Sequence, residues 1–342
     1  MPSTAEIERR CAESEPMPTE PTVAEVENLR VSFATAAGTA MAVRGVSFSI
    51  VRGETVGLVG ESGSGKTVTA LSLMKLLPQR GVRLEADRLS VMGTDLRTAS
   101  SAQLRALRGG KAAMIFQNPL RSLTPTRRVG GQVGEAVRKH EQASRSEATA
   151  KVIDLLRRVG IPDPERRARD YPHQFSGGQR QRIMIAMALA GSPELLIADE
   201  PTTALDVTTQ AQIFDLLLDL RAEFGMAVLL ITHDLSIVAR VCGRVLVMYA
   251  GRIIEEGTVG AIFARPRHPY TAGLLASIPR VDQPARKIKP IRGAPLDATE
   301  RVEGCAFRPR CPHAADACSK QPSLEVIGPQ QRAACWRARE VT

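Results

Sequence analysis

Residues 55–77 read TVGLVGESGSGKTVTALSLMKLL, and this stretch decides the fold. Thr55–Val59 is a short apolar run, the pattern of a strand buried on both faces. Gly60-Glu61-Ser62-Gly63-Ser64-Gly65-Lys66-Thr67 follows at once and matches G-x-x-x-x-G-K-S/T. Val68–Leu77 reads as the helix after it. Strand, glycine loop and helix in that order form a cradle for phosphate. Glycines let backbone amides come close, and the helix N-terminus adds partial positive charge. Lys66 is expected to reach the β- and γ-phosphates, and the Thr67 hydroxyl to ligate Mg²⁺. The expected ligand of residues 60–67 is therefore Mg·ATP.

Outward from this unit the pattern stays that of an α/β sheet. Ala112–Phe116, Leu195–Asp199 and Ala227–Thr232 are further buried strands, and Ala211–Glu223 carries apolar residues at helical spacing between the last two. Val23–Phe33 and Ala42–Ile50 alternate apolar and polar as half-buried strands do, with Gly38 favouring a turn between them. Val245–Met248 and Arg252–Glu255 predict a closing hairpin around Tyr249–Gly251. Residues from about Gln132 to Arg169 predict a charged helical insert. The expected division is a disordered tail over 1–21, a nucleotide-binding domain over 22–264 with a helical subdomain at about 118–190, and an extension over 265–342 rich in Pro, Arg and Cys.

Composition narrows the function classes. A chain of 342 residues with 43% hydrophobic content can bury a substantial core. Aromatics are only 4%, which argues against a surface for stacking exposed bases. The formal charge of +10 is dispersed over the chain rather than gathered in a basic block, despite pairs such as Arg166-Arg167 and Arg286-Lys287. No run approaches the ~18 apolar residues that cross a bilayer. The opening stretch MPSTAEIERRCAESEP lacks an apolar segment, so no secretion signal is expected and the cytoplasm is the expected compartment. There thiols stay reduced, and the six cysteines are not read as a disulfide frame.

Two carboxylates, Asp199 and Glu200, close the strand Leu195–Asp199. Asp199 is expected at the Mg²⁺ ion and Glu200 at the attacking water. His233 ends the strand Ala227–Thr232 and is expected at the γ-phosphate. Gln117 follows Ala112–Phe116, where a neutral amide can contact both Mg²⁺ and the lytic water.

One more motif sets the class. Phe175-Ser176-Gly177-Gly178-Gln179 precedes a helix predicted over Arg180–Ala190 and resembles the LSGGQ signature of ATP-binding-cassette ATPases, with Phe175 in place of Leu. Phosphate loop, Gln117, signature, Asp199-Glu200, the Ala204-Leu205-Asp206 loop and His233 follow the family order over about residues 23–265. The resemblance implies a P-loop NTPase with a RecA-like core sheet, an antiparallel β subdomain, an α-helical subdomain and a Cys-containing C-terminal extension. It also implies that Ser176, Gly177, Gly178 and Gln179 close over ATP held by a second cassette, with Asp206 at that interface. Phe33 matches the aromatic that stacks on adenine, although as a strand residue it can equally be core.

Within the family, Arg267-His268-Pro269-Tyr270-Thr271-Ala272-Gly273-Leu274-Leu275 resembles the H-P-Y-T-x-x-L-L segment of the dipeptide and oligopeptide importers, whose relatives also move nickel or glutathione. Tyr171-Pro172-His173-Gln174 and Gln117-Asn118-Pro119 fit the same branch, with Asn118 where Asp is usual. Cys305, Cys311, Cys318 and Cys335 follow, with gaps of five, six and sixteen residues. The resemblance implies a 4Fe–4S cluster on these four; four thiolates also suit zinc, though C-x₂₋₄-C knuckles are absent, and free thiols are the third reading. Cys11 and Cys242 are not expected to take part. The resemblance further implies a peripheral subunit on the cytoplasmic face of the inner membrane. Its partners would be a second ATPase subunit, identical or not, two integral permease subunits, with a groove near Gln117–Arg128 for one of their helices, and an external binding protein. A nucleic-acid or ribosome factor is the alternative, resting on the basic charge alone. Lys66 and Asp199 are 133 positions apart with no heptad array, too little for the coiled-coil insert of chromosome-type cassettes, so no nucleic-acid partner is expected. An exporter is the third reading, disfavoured by the H-P-Y segment and the cysteines.

Overall fold

A computed structural model describes residues 21–36, 38–117, 122–141, 143–203, 205–278, 290–300 and 302–341. Residues 1–20 of the tail expected over 1–21, Cys11 among them, as well as Asn118, Pro119, Ala204, Arg286 and Lys287, lie outside the described residues.

Among the described residues two sheets form, and the larger carries the site. It comprises β3 (Thr55–Val59), β7 (Ala112–Ile115), β8 (Leu195–Asp199), β9 (Ala227–Thr232), β10 (Arg244–Tyr249), β11 (Arg252–Thr258), β12 (Glu325–Gly328) and β13 (Gln331–Ala333) in the order β12-β13-β11-β10-β3-β9-β8-β7, with β10, β3, β9, β8 and β7 all parallel. Every residue of β3, β8 and β9 is buried, as expected of strands covered on both faces. Register fixes what their ends bring together. Val59 pairs with Thr232, Asp199 with Ile231, and Ile115 with Ala198. The residues that follow (Gly60, His233, Glu200 and Gln117) therefore share the carboxyl edge of one sheet, where α/β proteins build their sites.

β10 turns back antiparallel into β11 (Arg252–Thr258) through Ala250 and Gly251, both at positive φ, the backbone a tight hairpin requires. Beyond β11 the C-terminal segment adds β13 (Gln331–Ala333) and β12 (Glu325–Gly328) to the same sheet. The smaller sheet pairs β1 (Thr22–Thr35) with β2 (Gly38–Val51), and on the other side of β1 lie β4 (Val82–Glu85) and β5 (Arg88–Val91), with β6 (Thr94–Asp95) beyond. β4, β5, β6 and the helix Ser101–Leu107 carried no readable signal, because runs such as VRLE are short and charged.

The helical insert comprises Val129–Glu141, Arg145–Arg158 and Pro164–Arg167, followed by Gly177–Leu189. Val129, Val133 and Val137 form one stripe that packs with Val152, Leu155, Leu156 and Ile183 in a shared apolar core. The helix after the phosphate loop spans Lys66–Leu73, shorter than its apolar pattern suggests. Lys75 at φ +50° ends it, and Arg108 donates to the Met74 and Lys75 carbonyls left over (2.8 and 2.6 Å). Among the described residues no helix is long and apolar enough to cross a membrane.

Candidate functional site

The phosphate loop is held close to the sheet. A side chain at Gly60 would strike the Met248 carbonyl, and one at Gly65 the Ala42 carbonyl; their φ values of +153° and +103° independently favour glycine. Gly65 caps the helix Lys66–Leu73 without any side-chain hydrogen bond, so the first-turn amides keep their capacity for an anion. Lys66 is buried and its ammonium donates to the Gly60 and Glu61 carbonyls (2.7 and 2.9 Å) and to Ser64 Oγ (3.4 Å). Burial lowers its pKa, against the pull of Glu200, Asp199 and Glu61.

β8 delivers the carboxylates beside it. Thr67 Oγ1 donates to Asp199 Oδ1 at 3.1 Å. Asp199 is out of water, and burial raises its pKa, reinforced by Glu200. A buried carboxylate next to a threonine hydroxyl at a phosphate loop fits a hard divalent cation. Glu200 sits at φ +45°, a left-handed conformation uncommon for a glutamate. Its carboxylate accepts from Gln117 Nε2 (2.7 Å) and Thr203 Oγ1 (3.1 Å), and meets His233 Nδ1 at 3.2 Å. Burial pulls its pKa up, but the bonds from His233, Thr203 and Gln117 outweigh this and leave it below the usual glutamate value. The structure thus brings Gln117, Glu200 and His233 together, and adds Thr203. Its spacing of three from Glu200 in the turn Glu200-Pro201-Thr202-Thr203 was the available signal.

Other candidates lie elsewhere. Ser176 caps the helix Gly177–Leu189; Gln179 N–H donates to Ser176 Oγ (3.3 Å), and Gln179 Oε1 accepts from Ser176 N–H (3.1 Å) and Arg167 (3.3 Å). None of these bonds reaches residues 60–67 of the same chain. The helix therefore starts at Gly177, with the signature as its first turn. Asp206 caps Val207–Phe224, and the Thr209 amide and hydroxyl that it accepts lower its pKa. Phe33 is half-buried on β1 opposite Ala40 and Val82. The Glu61 carboxylate accepts from Arg310 at 2.7 Å.

The cysteines require a correction. Cys305, Cys311, Cys318 and Cys335 line one apolar cleft with Pro269, Phe307 and Trp336. Yet among the described residues no group of three or more His, Cys, Asp or Glu side chains is placed to hold a metal ion, so the expected 4Fe–4S cluster is not supported. Burial raises the pKa of Cys305 and Cys311 and pushes Cys335 up to about 11. Cys305 and Cys311 pack against the apolar core that includes Phe307 and Tyr270.

Comparison with known proteins completes the picture. Residues 43–203 match the family described as ABC transporter, and residues 254–318 match the oligopeptide/dipeptide transporter C-terminal region. A probable peptide ABC transporter ATP-binding protein of Sinorhizobium fredii is 50% identical over 93% of this chain and 95% of its own length. The dipeptide transport ATP-binding protein DppD of Bacillus subtilis is 48% identical over 92% and 94%, and the oligopeptide transport ATP-binding protein OppD of Salmonella typhimurium 46% over 92% and 94%. Among solved structures, the dimeric bacterial ABC transporter cassette MJ0796 superposes with a TM-score of 0.61 at 28% identity, covering 69% of this chain and 98% of that one. The same cassette is also known as a post-hydrolysis dimer bound to ADP and Pi. With its phosphate loop, its paired carboxylates and its matched C-terminal region, the chain belongs to the ATP-binding subunits of dipeptide and oligopeptide ABC transporters and is an ABC ATPase.

Proposed function

We propose that the chain powers import of di- or oligopeptides, or of a related solute such as nickel or glutathione, through a membrane permease. The observation that carries this is Glu200, fixed by Gln117, Thr203 and His233 at the sheet edge that bears the phosphate loop, in a chain with a peptide-transporter C-terminal region.

The loop Gly60, Glu61, Ser62, Gly63, Ser64, Gly65, Lys66 and Thr67 binds the triphosphate, with Lys66 as its cation, and Phe33 stacks on adenine. Thr67, Asp199 and Gln117 hold Mg²⁺, which when bound neutralises charge on the β- and γ-phosphate oxygens. Glu200, kept ionised by its donors, orients the attacking water and takes its proton. His233 and Gln117 hold that carboxylate and face the terminal phosphate. Ser176, Gly177, Gly178 and Gln179 act across a head-to-tail dimer on a second cassette's nucleotide, with Asp206 at the interface. The pair sits at the cytoplasmic face of the membrane beneath two permease subunits, supplied by an external binding protein. Residues 22–264 form the motor and 265–342 the extension of this transporter type.

In proteoliposomes holding the chain, its partner ATPase, both permease subunits and the binding protein, ATP drives uptake of a labelled di- or oligopeptide. Glu200→Gln lowers ATP turnover about 10²–10⁴-fold while nucleotide still binds. ATP hydrolysis without uptake of peptide, nickel or glutathione overturns the importer reading; near wild-type turnover of Glu200→Gln overturns the base assignment.

A further inference from the structure

The His268-Pro269-Tyr270 turn takes no part in the chemistry above, yet it reaches the phosphate loop. Glu255, fully buried on β11, fixes the turn by accepting the Arg267 and His268 amides (2.6 and 3.0 Å) and the Gln331 side chain (2.7 Å). Pro269 opens the helix Pro269–Ala276, a position where its missing N–H has no consequence. His268 caps that helix through Nδ1, which accepts the Tyr270 amide at 3.1 Å. Tyr270 is thereby set with no exposure against Tyr249 and Phe307, with ring centroids 4.7 and 5.4 Å apart. Its hydroxyl accepts the backbone N–H of Glu61 at 2.8 Å.

A second grip meets the same residue. Arg310 binds the Glu61 carboxylate with both terminal nitrogens (2.7 and 3.0 Å), and its side chain is only 6% exposed. A two-point arginine–carboxylate bond fixes direction as well as distance, and a buried arginine is strongly disfavoured without its partner. The carbonyl of this doubly held Glu61 is one of the acceptors of Lys66 Nζ.

We infer that Tyr270 and Arg310 are positioning residues for the nucleotide, holding the Glu61 peptide so that the phosphate loop is ordered before ATP arrives. The inference rests on residues 60–67 being the triphosphate site. Gly60, Gly63 and Gly65 make this loop entropically expensive to order, and a loop ordered in advance binds more tightly. Neither grip touches the reacting atoms, so the effect falls on affinity and not on turnover.

The test measures Kd for a fluorescent ATP analogue, steady-state KM and kcat, and Tm, on the full chain. Tyr270→Phe and Arg310→Met are each expected to raise Kd and KM roughly tenfold with kcat within about twofold, and Arg310→Lys to fall between. Adding Glu61→Gln to Arg310→Met should weaken binding no further. Unchanged Kd with a lowered Tm shows mere structural support and overturns the inference, as does a fall in kcat at unchanged KM. Should Arg310→Met not fold, Tyr270→Phe removes one hydroxyl and decides alone. Lys66→Ala is the control: if it binds the analogue as wild type does, the phosphate-loop reading itself fails and takes the inference with it. Loss of binding there, with unchanged affinity in the other variants, overturns the positioning alone.

Discussion

Asp199 and Glu255 are both carboxylates on strands of the same sheet, 2% and 0% exposed, and burial raises the pKa of both. Their surroundings differ. Glu255 accepts three N–H donors supplied by the fold, from Arg267, His268 and Gln331. Asp199 accepts one hydroxyl, from Thr67, and faces buried Lys66. The first carboxylate is completed by the protein and builds structure. The second keeps lone pairs for something the protein does not supply, the mark of a functional position in a buried setting.

Exchanging charge for its neutral isostere breaks this contrast most visibly at Asp199. Asp199→Asn should raise the Mg²⁺ concentration for half-maximal ATPase about 100-fold while leaving chemical stability unchanged or higher. A matching loss of stability would place Asp199 with Glu255 instead. Glu255→Ala should do the reverse, stranding buried donors and costing about 3 kcal/mol in urea unfolding. His268 sharpens the point, because full burial drives its pKa to about 3. The unfolded chain protonates this ring below its ordinary value near 6.5 and the folded chain does not, so folding weakens as pH falls through that window. Between pH 6.5 and 5 the loss is about 1.5 kcal/mol, and His268→Asn, which caps without titrating, should remove it. The smallest effect is expected at Ser176, where Ser176→Ala removes a helix cap worth about 1 kcal/mol by thermal unfolding.

The gathering of Gly60, Glu200 and His233 at one sheet edge was legible because its signals are local. Thr55–Val59, Leu195–Asp199 and Ala227–Thr232 announce buried strands, and each is followed at once by one of these residues. Thr203 was missed although its spacing was visible. The Tyr270 and Arg310 contacts with Glu61 were not legible, since they join residues 209 and 249 positions apart. Spacing along the chain carries no information about such distances. The four cysteines show the opposite failure: a pattern strong enough to suggest a ligand set, in a cleft where, among the described residues, no such set is placed to hold a metal ion.

The pairing of β13 with β11 has a practical consequence. At Glu255, Glu256 and Gly257 the short strand β13 occupies backbone groups that would otherwise line an open border of the main sheet. Ile253 and Ile254 lie beside them and are buried. A chain cut near residue 264, the natural choice for anyone wanting the motor alone, would lay that border bare. It should recruit strands from neighbouring molecules and precipitate, even with every residue of the catalytic edge intact.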